Sequence, residues 1–170
     1  MRTWSFACAL ALMMVAGPPA VALDDDCGLV PPAAGRDSDP FASYTPTVDS
    51  AASLPKDGVF AVRLKPVADL IYLVPPERGS DGGNGAIVTL ENIAAGRYRV
   101  VMSENAWLDA VQDNTRLPIL SVRSSTGCPG TRQSMQIEVK SKPLTLQFGG
   151  TNARRIMVAV LRVWPFKWKW

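Results

Sequence analysis

The chain has 170 residues, no histidine, three cysteines and a formal net charge of +3. Without histidine it cannot build Ser-His-Asp or Cys-His nucleophilic sites, nor the usual histidine-bearing zinc and non-haem iron centres. Arg2, Lys167 and Lys169 account for the whole positive excess, so residues 23–166 are neutral. That balance argues against nucleic-acid binding, which needs a concentrated basic surface.

In chain order, residues 1–22 read as an export signal. Arg2 gives the positive start, Trp4 to Val15 the short apolar core, and Ala20-Val21-Ala22 the small residues of a cleavage site. The apolar run is too short to span a bilayer, so no transmembrane helix is expected in the mature chain. A periplasmic or secreted location follows, and Cys8 leaves with the signal. The remaining roughly 148 residues suit a single domain. In oxidising surroundings Cys27 and Cys128 most simply form one disulfide. It would close a loop of roughly 100 residues and be worth at most roughly 4–5 kcal/mol. Pairing with another protein, or two free thiols, are the alternatives. Asp24-Asp25-Asp26 before Cys27 does not fit a lipoprotein anchor.

Residues 23–57 are rich in Pro, Ala, Asp and Ser and read as an extended arm. They hold seven aspartates against Arg36 and Lys56. From Gly58 the texture becomes that of strands. Val59 to Lys65 alternates, with Phe60, Val62 and Leu64 on one side. Asp69 to Val74 is a compact apolar run of strand length, ended by Pro75-Pro76. Glu77 to Gly85 is a polar glycine-dense loop, and Ala86 to Leu90 a further strand. In Arg97 to Ser103, Tyr98, Val100 and Met102 share a face. Ala106 to Gln112 fits a strand or a short helix. Leu117 to Val122 is a strand despite Pro118. Ser124 to Gln133 is a turn-rich loop carrying Cys128. Met135 to Lys140 and Leu144 to Phe148 alternate cleanly. Arg155 to Trp164 is apolar on both faces, as in a central strand. About eight short strands without long amphipathic helices predict an all-β fold, an antiparallel β-sandwich or jelly roll over residues 58–164. Residues 165–170 form an aromatic-basic tail.

Four groups of residues offer chemistry. Asp81 and Asn84 in the glycine-rich segment 79–85 supply too few oxygens for a calcium loop, and a hairpin loop accounts for them. The Asp24-Asp25-Asp26 run reads as a solvated start. Neither predicts a metal or other cofactor. Trp107 and Asp109 form a candidate ligand face: a flat ring packs on sugar C–H faces and a carboxylate accepts from hydroxyls. Core packing is the competing reading for a tryptophan in a sandwich strand. Glu104 and Asp113 lie nearby in sequence, so a carboxylate-based glycan hydrolase is conceivable. Finally, Trp164, Phe166, Lys167, Trp168, Lys169 and Trp170 have the composition of a membrane-interface or partner contact, weak because so few residues are free.

The stretch from Ile93 to Val111 resembles the edge motif of small exported bacterial β-sandwich domains, including the pre-peptidase C-terminal type. It is also similar to periplasmic proteins with a G-Y-x-V…W-x-D-V core and a later cysteine. The matching residues are Gly96, Tyr98, Val100, Trp107, Asp109, Val111 and Cys128. The resemblance covers about half of the mature chain and rests on a turn glycine and strand alternation. It implies fold and compartment and brings no catalytic residue. Taken together, the sequence predicts a non-enzymatic accessory or binding protein of the bacterial envelope. Its partner would be an envelope protein or a glycan.

Overall fold

The structure, a computed structural model, describes residues 41, 45–77, 82–124 and 130–163. The leader, Cys27, Cys128 and the tail from Trp164 onward lie outside the described residues, as do Asp24-Asp25-Asp26 and Asp81.

Period-2 alternation of apolar side chains produces two sheets that face each other. Their strands are β1 (Thr47–Val48), β2 (Ala52–Lys56), β3 (Val59–Arg63), β4 (Lys65–Pro66), β5 (Asn84–Asn92) and β6 (Gly96–Met102). They continue with β7 (Trp107–Gln112), β8 (Thr115–Arg116), β9 (Ile119–Ser124), β10 (Gln133–Val139), β11 (Leu144–Thr151) and β12 (Arg155–Arg162). Sheet A runs β1-β3-β12-β6-β10-β9, and sheet B runs β2-β5-β11-β7-β8 with β4 beside β5. Both sheets are mixed: β1 pairs parallel with β3, and β2 parallel with β5, while the other pairings are antiparallel.

The inward faces make one core. Phe60, Val62, Tyr98, Val100, Met102, Ile137, Ile156 and Val158 come from sheet A. Val88, Leu90, Leu108, Ala110, Leu144, Leu146 and Phe148 come from sheet B. Burial of such aliphatic and aromatic area dominates the stability of a sandwich this size. β12 is apolar on both faces because its outer side is also covered: Ala159 and Val101 pack with Phe41 in a second cluster. Gly96, at φ +150°, opens β6, and two residues on, the buried Tyr98 donates its hydroxyl to Ala94 O at 3.1 Å. The glycine and tyrosine of the sequence motif thus fix the entry into β6.

Three expectations change. The domain begins before Gly58, since β1 and β2 lie within residues 47–56, in the span read as an arm. Their pairing is parallel and long-range, and two polar-rich strands of two and five residues carry little periodicity. The 69–74 segment is not a strand. A 3-10 turn spans Val67–Asp69, and the chain then crosses the outer face of sheet B with a bend at Leu73 and Val74, leaving Ile71 93% exposed. Residues 106–112, open between helix and strand, belong to β7.

Phe148 is fully buried at the centre of sheet B. Phe148→Ala is expected to destabilise the protein by about 3–5 kcal/mol. Urea unfolding should show a lower midpoint with an unchanged slope.

Candidate functional site

β7 alternates between two environments. Leu108 and Ala110 enter the core, while Trp107, Asp109 and Val111 project from the opposite face of sheet B. That outer face would ordinarily meet water. Here residues 70–77 lie across it as a strap whose side chains alternate, Tyr72 and Val74 half-buried below, Ile71 and Leu73 exposed above.

Side chains from the sheet hold this strap in place of a neighbouring strand. Gln147 of β11 is fully buried. Its Oε1 accepts from Leu73 N at 2.7 Å and Val74 N at 3.1 Å, and its Nε2 donates to Val74 O at 3.0 Å. Directly across the β11–β7 ladder from Gln147 lies Asp109. Asp109 is 5% exposed. Its Oδ2 accepts from Glu77 N at 3.3 Å, and its Oδ1 lies 3.1 Å from Arg116 Nε. That ion-pair contact lacks hydrogen-bond geometry, so Arg116 Nε has no hydrogen-bond partner among the described residues. A terminal nitrogen of Arg116 donates to Pro75 O, which fastens the strap to β8.

Trp107 is half-buried and lies against Tyr72, with ring centroids 5.4 Å apart and planes tilted by 56°. Its indole rests on Gly149 and Gly150. A Cβ at Gly149 would come within 2.6 Å of Trp107 Cε2, and one at Gly150 within 2.8 Å of Cδ1. Tyr72 donates its hydroxyl to Phe148 O at 3.2 Å. Burial, and secondarily the negative charge of Asp109, push the Tyr72 hydroxyl pKa up to about 12.

Trp107 and Asp109 meet in a cleft of about 780 Å³. Sheet B contributes Trp107, Leu108, Asp109 and Gly150, the segment before β7 contributes Asn105 and Ala106, and the strap contributes Glu77. Sheet A contributes Ile119, Val122, Ser124, Gln133 and Met135. The size is that of a ligand pocket, and the wall mixes apolar surface with a few polar groups, as such pockets do. Gln133 Oε1 accepts from Ala106 N at 3.3 Å, tying the two sheets together at the cleft. Among the described residues no lysine or arginine lines it.

The other sequence candidates do not converge here. Glu104 and Asp113 are absent from the cleft wall. Asp113 and Asn114, at φ +50° and +56°, form the two-residue turn of the β7–β8 hairpin, and Asp113 pairs with Lys142 at 2.6 Å. The Asp-Asn step between two apolar runs is a hairpin signal that identifies this turn. Asn84 donates Nδ2 to Ala153 O at 2.9 Å, a structural bond within the sheet-B corner. Among the described residues, no three potential metal-ligating side chains cluster together, and no helix is long and apolar enough to cross a membrane. Glu77, Gln133 and the β9 side chains were not singled out by sequence, because only the tertiary fold brings these separate segments to one wall, and Gln147 was missed because its partners in the strap are distant in sequence. No protein-family model, curated protein or solved structure matches the chain.

Gln147→Ala leaves two backbone N–H groups and one carbonyl of the strap without their partners. The expected cost is about 1–3 kcal/mol, and hydrogen exchange at Leu73 and Val74 should accelerate more than in the core strands. Tyr72 gives a separate alkaline signature. The unfolded chain releases the phenolic proton near 10.0 and the folded chain near 12, so between those values the folded state holds the extra proton. Stability is therefore fully present below pH 10.0 and is lost as pH rises toward 12. Tyr72→Phe should flatten that decline in denaturant titrations at pH 9 to 12. Tyr98, raised mainly by burial and next by Asp57, should add to the slope in the same sense.

Proposed function

We propose that this chain is an exported, non-enzymatic binding or accessory protein of the bacterial cell envelope, and that it takes its ligand at the Trp107–Asp109 cleft. The observation carrying this reading is the cleft itself, where a half-buried tryptophan and a buried carboxylate border about 780 Å³ of space beside the sandwich core. The export part rests on the leader sequence and on the resemblance around Gly96, Tyr98 and Trp107.

The state of the polar groups favours binding over hydrolysis. A glycosidase needs two carboxyl groups facing each other across the scissile bond. Glu104 and Asp113 are absent from the wall; the two carboxylates that line it, Glu77 and Asp109, are neighbours joined through Glu77 N, and both Asp109 oxygens are engaged, by that N–H and by Arg116. Asp109 thus acts as a strut that shapes the wall, while Trp107 and the sheet-A side chains offer contact surface.

A photocrosslinking residue at Val122, which faces the cleft and is 53% exposed, tests the proposal in living cells. Adducts with an envelope component are expected from position 122 and not from Glu138, an exposed residue at the end of β10 facing away from the core. No adduct at either position, or the same adduct from both, would remove the cleft from the function.

A further inference from the structure

We infer that the ligand is an extended peptide segment of a partner protein, which adds a strand to the free edge of β9 and places alternate side chains in the cleft. This rests on the cleft being the binding site and adds what occupies it.

The sheet edges of this molecule are unequal. β1 and β8 are two residues long, and β2 carries Pro55 in its interior. Short strands and edge prolines are the ordinary protections against strand addition. β9 is six residues long, pairs with β10 on one side, and among the described residues has no strand on the other. It exposes Leu120 (44%) and Val122 (53%), two of the four exposed large apolar side chains among the described residues. One irregularity, a register shift opposite Gln136 and Ile137, lies at its start, and the pairing from Ser121 to Ser124 is regular. That half of the strand ends at the cleft, where Val122 and Ser124 form part of the wall.

Two requirements are met together at this place. The free edge of β9 presents backbone N–H and C=O groups at the repeat of a strand, which the backbone of another strand matches throughout its length. The cleft beside it accepts side chains projecting from every second residue of such a strand. Trp107, Leu108, Ile119 and Met135 make the receiving wall apolar, and Glu77 and Asp109 supply its charged groups with no lysine or arginine on the wall among the described residues. The fitting peptide therefore alternates, with apolar inward side chains and no acidic one among them. A glycan could use the tryptophan and the amides but would leave the strand edge unmatched.

Panning a random seven-residue phage-displayed peptide library against the mature chain tests this. Alternating apolar sequences poor in Asp and Glu at the apolar positions are expected to enrich. N-methylation of the edge-facing amides of a selected peptide should weaken it at least about tenfold while sparing its side chains. Amide exchange should slow in β9, and Val122→Asp should weaken binding without lowering the unfolding midpoint. No enrichment, or indifference to N-methylation, overturns the strand-addition proposal. Peptide binding only after deletion of residues 165–170 would assign the edge to this chain's own tail. A dimer that excludes peptide would assign it to a second copy. Binding of N,N′-diacetylchitobiose at Trp107 with no peptide enriched would overturn the peptide while leaving the cleft in use. Crosslinking from Val122 reads the cleft itself, so its outcome separates failure of the site from failure of the ligand class.

Discussion

The buried amide of Gln147 is the interaction on which the outer half of this sandwich depends. Strand alternation puts position 147 on the face of sheet B turned away from the core, where a glutamine would ordinarily be hydrated. Here it is fully buried. A primary amide removed from water is costly unless its donors and acceptor find partners. Those partners are backbone groups of the strap, at Leu73 and Val74. The strap in turn keeps water from Gln147, so each depends on the other. A sheet that would otherwise have one wet face thereby gains a third layer, and Tyr72, Trp107 and Asp109 find themselves in a partly enclosed setting.

The same device occurs at the other end of β7. Gln112, 4% exposed, donates Nε2 to the carbonyls of Lys140 and Lys142 at 3.0 and 2.8 Å and accepts from Lys140 N at 2.9 Å. One glutamine fastens the β10–β11 turn and the other fastens the strap. Amides suit this task because one planar group donates and accepts at once and satisfies irregular backbone that no strand can reach. Asp109 differs, for its charge needs Arg116 nearby as well as a backbone N–H. Arg116 is partly exposed, with 31% of its side chain accessible, against 7% for Asp109. The pair therefore keeps some hydration, and the full penalty of a buried ion pair does not apply.

Much of the fold was legible because a sandwich core is written in period 2. Phe60 and Val62, Tyr98 through Met102, Met135 through Val139 and Leu144 through Phe148 all face as their alternation indicates. The apolar-both-faces pattern of Arg155 to Trp164 marks an interior strand, and β12 (Arg155–Arg162) runs between β3 and β6 with its second face covered through Phe41. The strap shows where such reading ends. Tyr72 and Val74 alternate with Ile71 and Leu73 as in any half-buried strand, and what differs is the hydrogen-bond partner, a glutamine side chain 73 or 74 residues away. Periodicity reports which side of a segment is covered and is blind to what covers it. Periodicity is equally silent on Gly149 and Gly150, where the indole of Trp107 lies in the space side chains would take. Trp107 and Asp109 were found from sequence as a pair, while the cleft between them and β9 exists only after both sheets are assembled.

Edge strands and the cleft belong to one geometric problem. A two-sheet sandwich closes fully along a side only where the edge strands of both sheets are long enough to approach each other. On the β7–β8–β9 side they are mismatched. β8 covers only the last residues of β7, since Val111 and Gln112 pair with Arg116 and Thr115, and Leu117 N reaches back to Ala110 O. Beyond that point the chain crosses to sheet A, leaving Trp107 to Asp109 without a backbone partner from β8. The cleft opens along this stretch, and β9 runs beside it with its own outer edge unpaired among the described residues. A longer β8 would pair with β7 along Asp109 to Trp107 and close the gap. The hairpin at Asp113-Asn114 and the Leu117-Pro118 step end it early instead, because proline cannot donate to a ladder and constrains the residue before it. A local choice of turn and breaker residues thus creates both the space and the strand edge left unpaired among the described residues, and their coincidence at one corner leaves an open cleft in place of a closed wall.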